Sequence, residues 1–215
     1  MSAPEEGNLR NGSPTCNPLI RRNEPMTLIM ILTLTYIASS VNFSIALFRL
    51  LGKGDPRTRF SGNAGATNVY RQAGIFWAAV VLFLDMGRAM LIAYIGLSML
   101  GTEYVTLPGL VLIFGNRFPC FHGFKGGKGV ANYLGFTILL APVSVGISAL
   151  AWGVFFLLFR KPFISSFAMV LILGSGTILA YRNHFLAVVV TCLTVLFIIY
   201  NHRRNIMEFR KTRTE

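Results

Sequence analysis

The chain has 215 residues, 53% of them hydrophobic and 13% charged, against roughly a quarter charged in an average soluble domain. That balance excludes an ordinary water-soluble fold, and the scatter of Cys16, Cys120 and Cys192 and of His122, His184 and His202 excludes a disulfide framework or a metal centre. The net charge of +12 has three readings: Lys and Arg held in cytoplasmic loops because they resist translocation, contact with anionic headgroups, or nucleic-acid binding, for which there is no contiguous basic domain.

Residues 1–25 carry Pro4, Pro14, Pro18 and Pro25 among polar residues and read as a disordered tail, with Met26 as a candidate translation start. Residues 26–201 form the membrane domain. Its apolar runs cover 28–51, 75–84 and 90–100, 136–159, 163–181 and 185–200, and several approach the ~20 residues that cross a bilayer. The chain is therefore predicted to be an all-α integral membrane protein with five to seven transmembrane helices. Asp85 and Arg88, three apart in one apolar stretch, read as a structural ion pair.

Two basic, glycine-rich loops (residues 52–74 and 115–132) and the basic tail (202–215) belong on the cytoplasmic side, and the loop around Glu103 outside. Three apolar stretches follow Asn132, whereas a return to the cytoplasm needs an even number of crossings. Either the segment 133–159 splits at Pro142 into two helices or residues 163–200 cross once. No internal repeat supports a transporter built from inverted halves.

The first loop contains FSGNAGATNVYR, residues 60–71. Gly62 and Gly65 permit turns in which successive N–H groups converge on an anion. Ser61, Asn63, Thr67 and Asn68 add short donors, and Arg71 a fork matched to phosphate oxygens. The composition suits an anion cradle and a polar connecting loop equally. In the second loop, FKGGKGVAN (residues 124–132) sets Lys125 and Lys128 around Gly126 and Gly127. Gly129 stands where a nucleotide-binding P-loop has a hydroxyl, so nucleotide binding is disfavoured. Phe118, Phe121 and Phe124 recur at intervals of three and suit anchoring at the membrane interface. In the tail, His202 and Asn205 share a helical face, either as an ordinary juxtamembrane end or as part of a polar site.

Taken together, these segments resemble the bacterial acyl-phosphate:glycerol-3-phosphate acyltransferases, whose loops read GSGNxGATNxxR, LDxxKG, GHxFPxFxxFKGGKGVAT and HxxN in that order. The resemblance runs from residue 39 to about residue 205. It implies a multi-pass enzyme of the bacterial inner membrane, with its site facing the cytoplasm. Such an enzyme moves a fatty acyl group from acyl phosphate to the first hydroxyl of glycerol 3-phosphate, giving lysophosphatidic acid. The implied partners are those two substrates, membrane lipids and a soluble enzyme that supplies acyl phosphate; neither a cofactor nor nucleic acid is implied. Carried onto this chain, the catalytic set is Ser61, Arg71, Lys128, His202 and Asn205. The substrate-binding set is Asn63, Gly65, Ala66, Thr67, Asn68, Lys125, Gly126, Gly127 and Gly129. Ser61, the amides of residues 63–68 and Arg71 would hold one phosphate. Lys125, Lys128 and their glycines would hold the other, while His202 and Asn205 orient the attacking hydroxyl. The chain departs from the family pattern at Phe60 (Gly), Arg88 and Ala89 (Lys-Gly), Asn116 (His) and Asn132 (Thr), in the stretch from Val41 to Ser44, and at Glu208 (a basic position). The alternative is an impaired paralogue that binds phosphorylated headgroups or acylates another acceptor.

Overall fold

The computed structural model describes residues 24–214. The expected tail lies outside the described residues except for Glu24 and Pro25, which open the first helix, where a proline costs no hydrogen bond. Helix α1 (Glu24–Ser40) breaks at Val41 and Asn42 before α2 (Phe43–Leu50). Asn42 caps α2 by accepting the Ile45 N–H on its side-chain oxygen at 3.1 Å. A single 3₁₀ turn (Pro56–Thr58) precedes α3 (Ala66–Ala73), and α4 (Ile75–Met99) and α5 (Leu107–Arg117) follow. A second 3₁₀ turn, Cys120–His122, leads to α6 (Val130–Leu140), α7 (Pro142–Phe159), α8 (Pro162–Ala180), α9 (Phe185–Asn201) and α10 (Arg203–Thr214). No strand occurs among the described residues.

Four helical segments are long and apolar enough to cross a membrane: Pro25–Leu50, which joins α1 and α2, then α4, α7 and α8. A fifth is added if α9 and α10, bent by 45° at His202, are taken together. The outer faces carry exposed Phe83, Leu91, Leu150, Leu157 and Leu196, side chains that suit a hydrocarbon solvent. Proline solves the crossing problem. Pro142 cannot continue α6, whose ladder ends at Leu140, so the predicted split occurs there. Four helices running alternately, α6 to α9, of which α6 is too short to span by itself, then return the chain to its starting end. Phe163 and Phe167 at the start of α8 touch Phe209 and His202, while Thr106 bonds the Ala187 carbonyl at the opposite end.

Helix packing relies on small residues. A Cβ on Gly135 would lie 2.5 Å from the Met86 carbonyl oxygen, so α6 crosses α4 backbone to backbone. Asp85 and Arg88 form the expected ion pair at 2.9 Å, with each side chain 8% exposed. Arg88 also donates to the carbonyl of Ala38 (3.2 Å), which the Val41 N–H shares at 3.3 Å, to the carbonyl of Val41 at the α1–α2 break, and to Asn132 Oδ1 at 2.7 Å. One guanidinium thus ties α1, α4 and α6 together and satisfies backbone acceptors that lipid would leave unpaired.

Candidate active site

The first loop is held rigid from within. Asp55 accepts from the Arg57 N–H at 2.9 Å and pairs with its guanidinium at 2.7 Å. These bonds keep the Asp55 carboxyl below its usual range. Asn68 is buried and donates its amide to the carbonyls of Pro56 (2.7 Å) and Arg59 (3.3 Å). Its donors are spent on folding the loop. Gln72 adds a bond to the Pro56 carbonyl at 2.8 Å. The backbone turns sharply at Phe60 (φ 52°) and again at Gly62 (φ 61°). Gly65 is the N-cap of α3 and accepts from Asn68 and Val69, so the Ala66 and Thr67 amides are the free donors of the first turn. Thr67 and Arg71 are exposed on that helix, and Ser61 and Asn63 are half-buried.

The second loop packs on the first. Arg57 reaches across to the carbonyls of His122 (2.7 Å) and Lys125 (2.6 Å). Asn42 ties the assembly to the membrane: its Nδ2 donates to the Ala64 carbonyl at 3.3 Å and its N–H to His122 Nε2 at 3.3 Å. Gly126 and Gly127 are buried, with their amides bonded to the carbonyls of Arg117 (3.0 Å) and Asn116 (2.9 Å). A Cβ on Gly127 would lie 2.8 Å from Asn116 Nδ2 and 2.9 Å from the Ala64 carbonyl oxygen. These glycines permit close loop packing and do not leave free amides for an anion. Gly129 takes φ 95° to start α6, and Lys125 is exposed.

The third segment closes over the other two. Lys128 Nζ donates to Asn205 Oδ1 on α10, and Asn201 Nδ2 donates to the Lys128 carbonyl at 3.3 Å. Arg204 overlies Gly62, its guanidinium 3.0 Å from where a Cβ would stand. His202 is buried, its Nδ1–H donating to the Ile198 carbonyl at 2.9 Å and its ring meeting Phe167 edge-on at 5.2 Å. Burial pushes its pKa down to about 4, and the Lys128 charge adds to this. His202 is therefore neutral near pH 7, with Nε2 as the acceptor. Burial likewise pushes the Lys128 ammonium down to about 8; Glu208 opposes this, and Arg71, Arg117 and Arg204 reinforce it. Cations thus outnumber the carboxylate beside Lys128, a field that favours a bound anion.

Of the residues singled out in sequence, the structure brings Lys128 and Asn205 into contact, with Arg71 in their field and His202 one turn away. It assigns Asn68, Gly126 and Gly127 to building the loops. Arg57, Arg117 and Arg204 were missed as site residues. The Asp55-x-Arg57 spacing was a signal for the first, whereas nothing local marks Arg117 or Arg204. Phe60 is 65% exposed, pointing away from the packed loops.

The membrane-spanning bundle and its cationic end define an integral membrane protein built to hold anions beside lipid. The chain belongs to the glycerol-3-phosphate acyltransferase family, whose sequence model matches residues 29–212. It is 37% identical over 198 residues to the glycerol-3-phosphate acyltransferase of Jannaschia sp. (strain CCS1), covering 90% of this chain and 94% of that one. It is 39% identical over 192 residues to that of Shewanella woodyi (86% and 91% covered). Among solved structures it is similar to PlsY (YgiH), an integral membrane glycerol 3-phosphate acyltransferase. The glycerol 3-phosphate form matches with a TM-score of 0.80 at 30% identity, over 87% of this chain and 94% of that one. The lysophosphatidic acid form matches at 0.77 and 29%, over 87% and 93%.

Proposed function

We propose that this protein transfers a fatty acyl group from acyl phosphate to the first hydroxyl of glycerol 3-phosphate, at a site on the cytoplasmic face of a bacterial inner membrane. The observation that carries the reading is the meeting of three segments around Lys128: the Ser61–Arg71 loop, the Lys125–Gly129 loop and α10. Both substrates bring phosphate, and one brings an alkyl chain that the surrounding bilayer accommodates. The cytoplasmic orientation is supported by the concentration of Lys and Arg at this end. A site open to water on that face suits delivery of acyl phosphate by a soluble enzyme.

In this reading Ser61, the Ala66 and Thr67 amides and Arg71 hold one phosphate, and Lys128 and Lys125 hold the other. Asn63 and Gly65 shape the turn, with Gly129 setting the Lys128 backbone. Asn205 orients the Lys128 ammonium, and neutral His202 offers Nε2 to the acceptor hydroxyl. The hydroxyl oxygen attacks the acyl carbon, the C–O bond to phosphate breaks, and phosphate departs. A phosphate oxygen takes the hydroxyl proton. The mixed anhydride has a good leaving group, so positioning and charge stabilisation suffice without a covalent enzyme intermediate.

Purified protein in lipid or detergent should convert acyl phosphate and glycerol 3-phosphate to lysophosphatidate, and fail with acyl-CoA as donor. Lys128→Ala and Arg71→Ala should each lower kcat/KM by about 10²-fold or more. Retention of lysophosphatidate without turnover would replace the proposal with a lipid-binding function, and full activity in both variants would overturn the residue roles.

A further inference from the structure

Outside the cationic cluster, a cavity of about 530 Å³ lies between α2 and the turn at Phe121, lined by Val41, Ala46, Arg49, Leu50, Phe121 and His122. It is a shallow groove open along one side and not an enclosed cavity. Ala46, Arg49 and Leu50 stand three and four apart and line one side of α2, flanking the buried Ile45 and Phe48. Leu50, Val41 and Phe121 are exposed, and Leu50 ends the Pro25–Leu50 span. The groove therefore opens at the membrane surface, apolar along its length and cationic at its rim. Arg49 has no salt-bridge partner among the described residues, because Asp55 is engaged by Arg57.

The inner wall is shared with the active site. His122 receives the Asn42 N–H at 3.3 Å, and its carbonyl accepts from Arg57 at 2.7 Å. Asn42 also holds Ala64, against which Gly127 packs. Asn42 thus links the groove wall at His122 to the Ser61–Arg71 loop at Ala64.

We propose that this groove is a binding site for a single-chain lipid phosphate, with the alkyl chain along Ala46, Leu50 and Phe121 and the phosphate at Arg49, from which such a lipid reaches or leaves the active site. The inference rests on the proposed acyl transfer. The same head and tail occur in the donor, acyl phosphate, and in the product, lysophosphatidate, so the groove serves entry, exit or both. A burial coefficient of roughly 0.8 kcal/mol per CH₂ makes the chain the main contributor to affinity, and Arg49, exposed at its rim, selects the anionic head.

The test uses the full chain in detergent micelles, with hexadecyl phosphate as a probe that carries head and tail but no transferable acyl group. Ala46→Trp fills the groove and should weaken inhibition by hexadecyl phosphate about tenfold; Arg49→Gln should weaken it about threefold. In both variants kcat and the KM for glycerol 3-phosphate should stay within about twofold. A raised KM for acyl phosphate marks entry, and a raised inhibition constant for lysophosphatidate marks exit. The inference is overturned if hexadecyl phosphate, donor and product constants are all unchanged in both variants. It is also overturned if the KM for glycerol 3-phosphate rises in step, since the substitutions would then be disturbing the phosphate loops. Wild-type protein that binds hexadecyl phosphate through the groove yet shows no turnover would sink the proposed function and leave the groove standing.

Discussion

Lys128 shows how one side chain's surroundings set its chemistry. Burial, reinforced by Arg71, Arg117 and Arg204, brings its pKa down to about 8 from the ordinary 10.5 of a lysine. The free protein therefore keeps the cation below about pH 8 and loses it as the pH rises through that value. Since kcat/KM reports ionisations of the free enzyme, it should fall above this pH. A bound phosphate favours the charged form, so kcat should fall at higher pH than kcat/KM. Lys128→Arg, with a side chain that stays charged, should remove the inflection from kcat/KM if activity survives. A rate profile from pH 6 to 10 checks this. Phe60 illustrates the opposite case, a departure that leaves the site alone. The motif that the chain resembles has glycine there, a residue suited to a positive φ. Phe60 adopts φ 52° all the same, at a cost of about 1–2 kcal/mol for a left-handed non-glycine residue, and its ring lies outside the packed loops.

At the scale of elements, three of the departures from the family pattern, at Arg88, at Asn132 and in the stretch from Val41, meet in one set of contacts. Arg88 replaces a lysine and donates to Asn132, which replaces a threonine; it also donates to the carbonyl of Val41, in the stretch that differs before α2. A lysine offers three donors at one point, whereas the guanidinium fork spans Asp85, Asn132 and two carbonyls at once. Arg88→Met should destabilise the protein by roughly 3–5 kcal/mol, because it strands a buried carboxylate and frees backbone acceptors. Combining it with Asp85→Asn should recover part of that loss, which thermal unfolding in detergent would detect. An equal loss in the single and double variants would mean that the backbone acceptors, and not the charge, carry the cost.

Across the whole molecule, α10 reaches back over loops that lie more than seventy residues earlier in the chain, and the proposed activity rests on that contact. Asn205 meets Lys128, and Arg204 overlies Gly62. The pairing of Arg204 with Glu208 at 3.0 Å is solvent-exposed and contributes a few tenths of a kcal/mol at most to helix stability. A chain ending after His202 should keep its bundle, because α10 rests on it mainly through Phe209 against Phe163. Its kcat/KM should drop by about 10²–10³-fold. Circular dichroism showing loss of helix well beyond α10 would instead make α10 a structural support.

Much was legible in the residues themselves. Apolar runs cannot rest in water, so the membrane-spanning helices were readable in advance, whereas the break at Pro142 was one of two readings left open until the structure showed it. The loops' glycines and cations suited an anion cradle and a polar connecting loop equally, and only the resemblance to the acyltransferase motifs favoured the first. What only the tertiary structure decided was which groups in those loops are free. Asn68, Gly126 and Gly127 look like phosphate donors in sequence, yet their donors are spent on carbonyls of Pro56, Arg117 and Asn116. Arg117 and Arg204 come beside Lys128 from positions that no local pattern marks. The physical reason is that a loop's hydrogen-bonding capacity belongs to its residues, while its partners are set by helix packing. In a membrane the same apolar side chains face lipid and face one another, so the pattern that fixes the helices leaves open which loop ends meet.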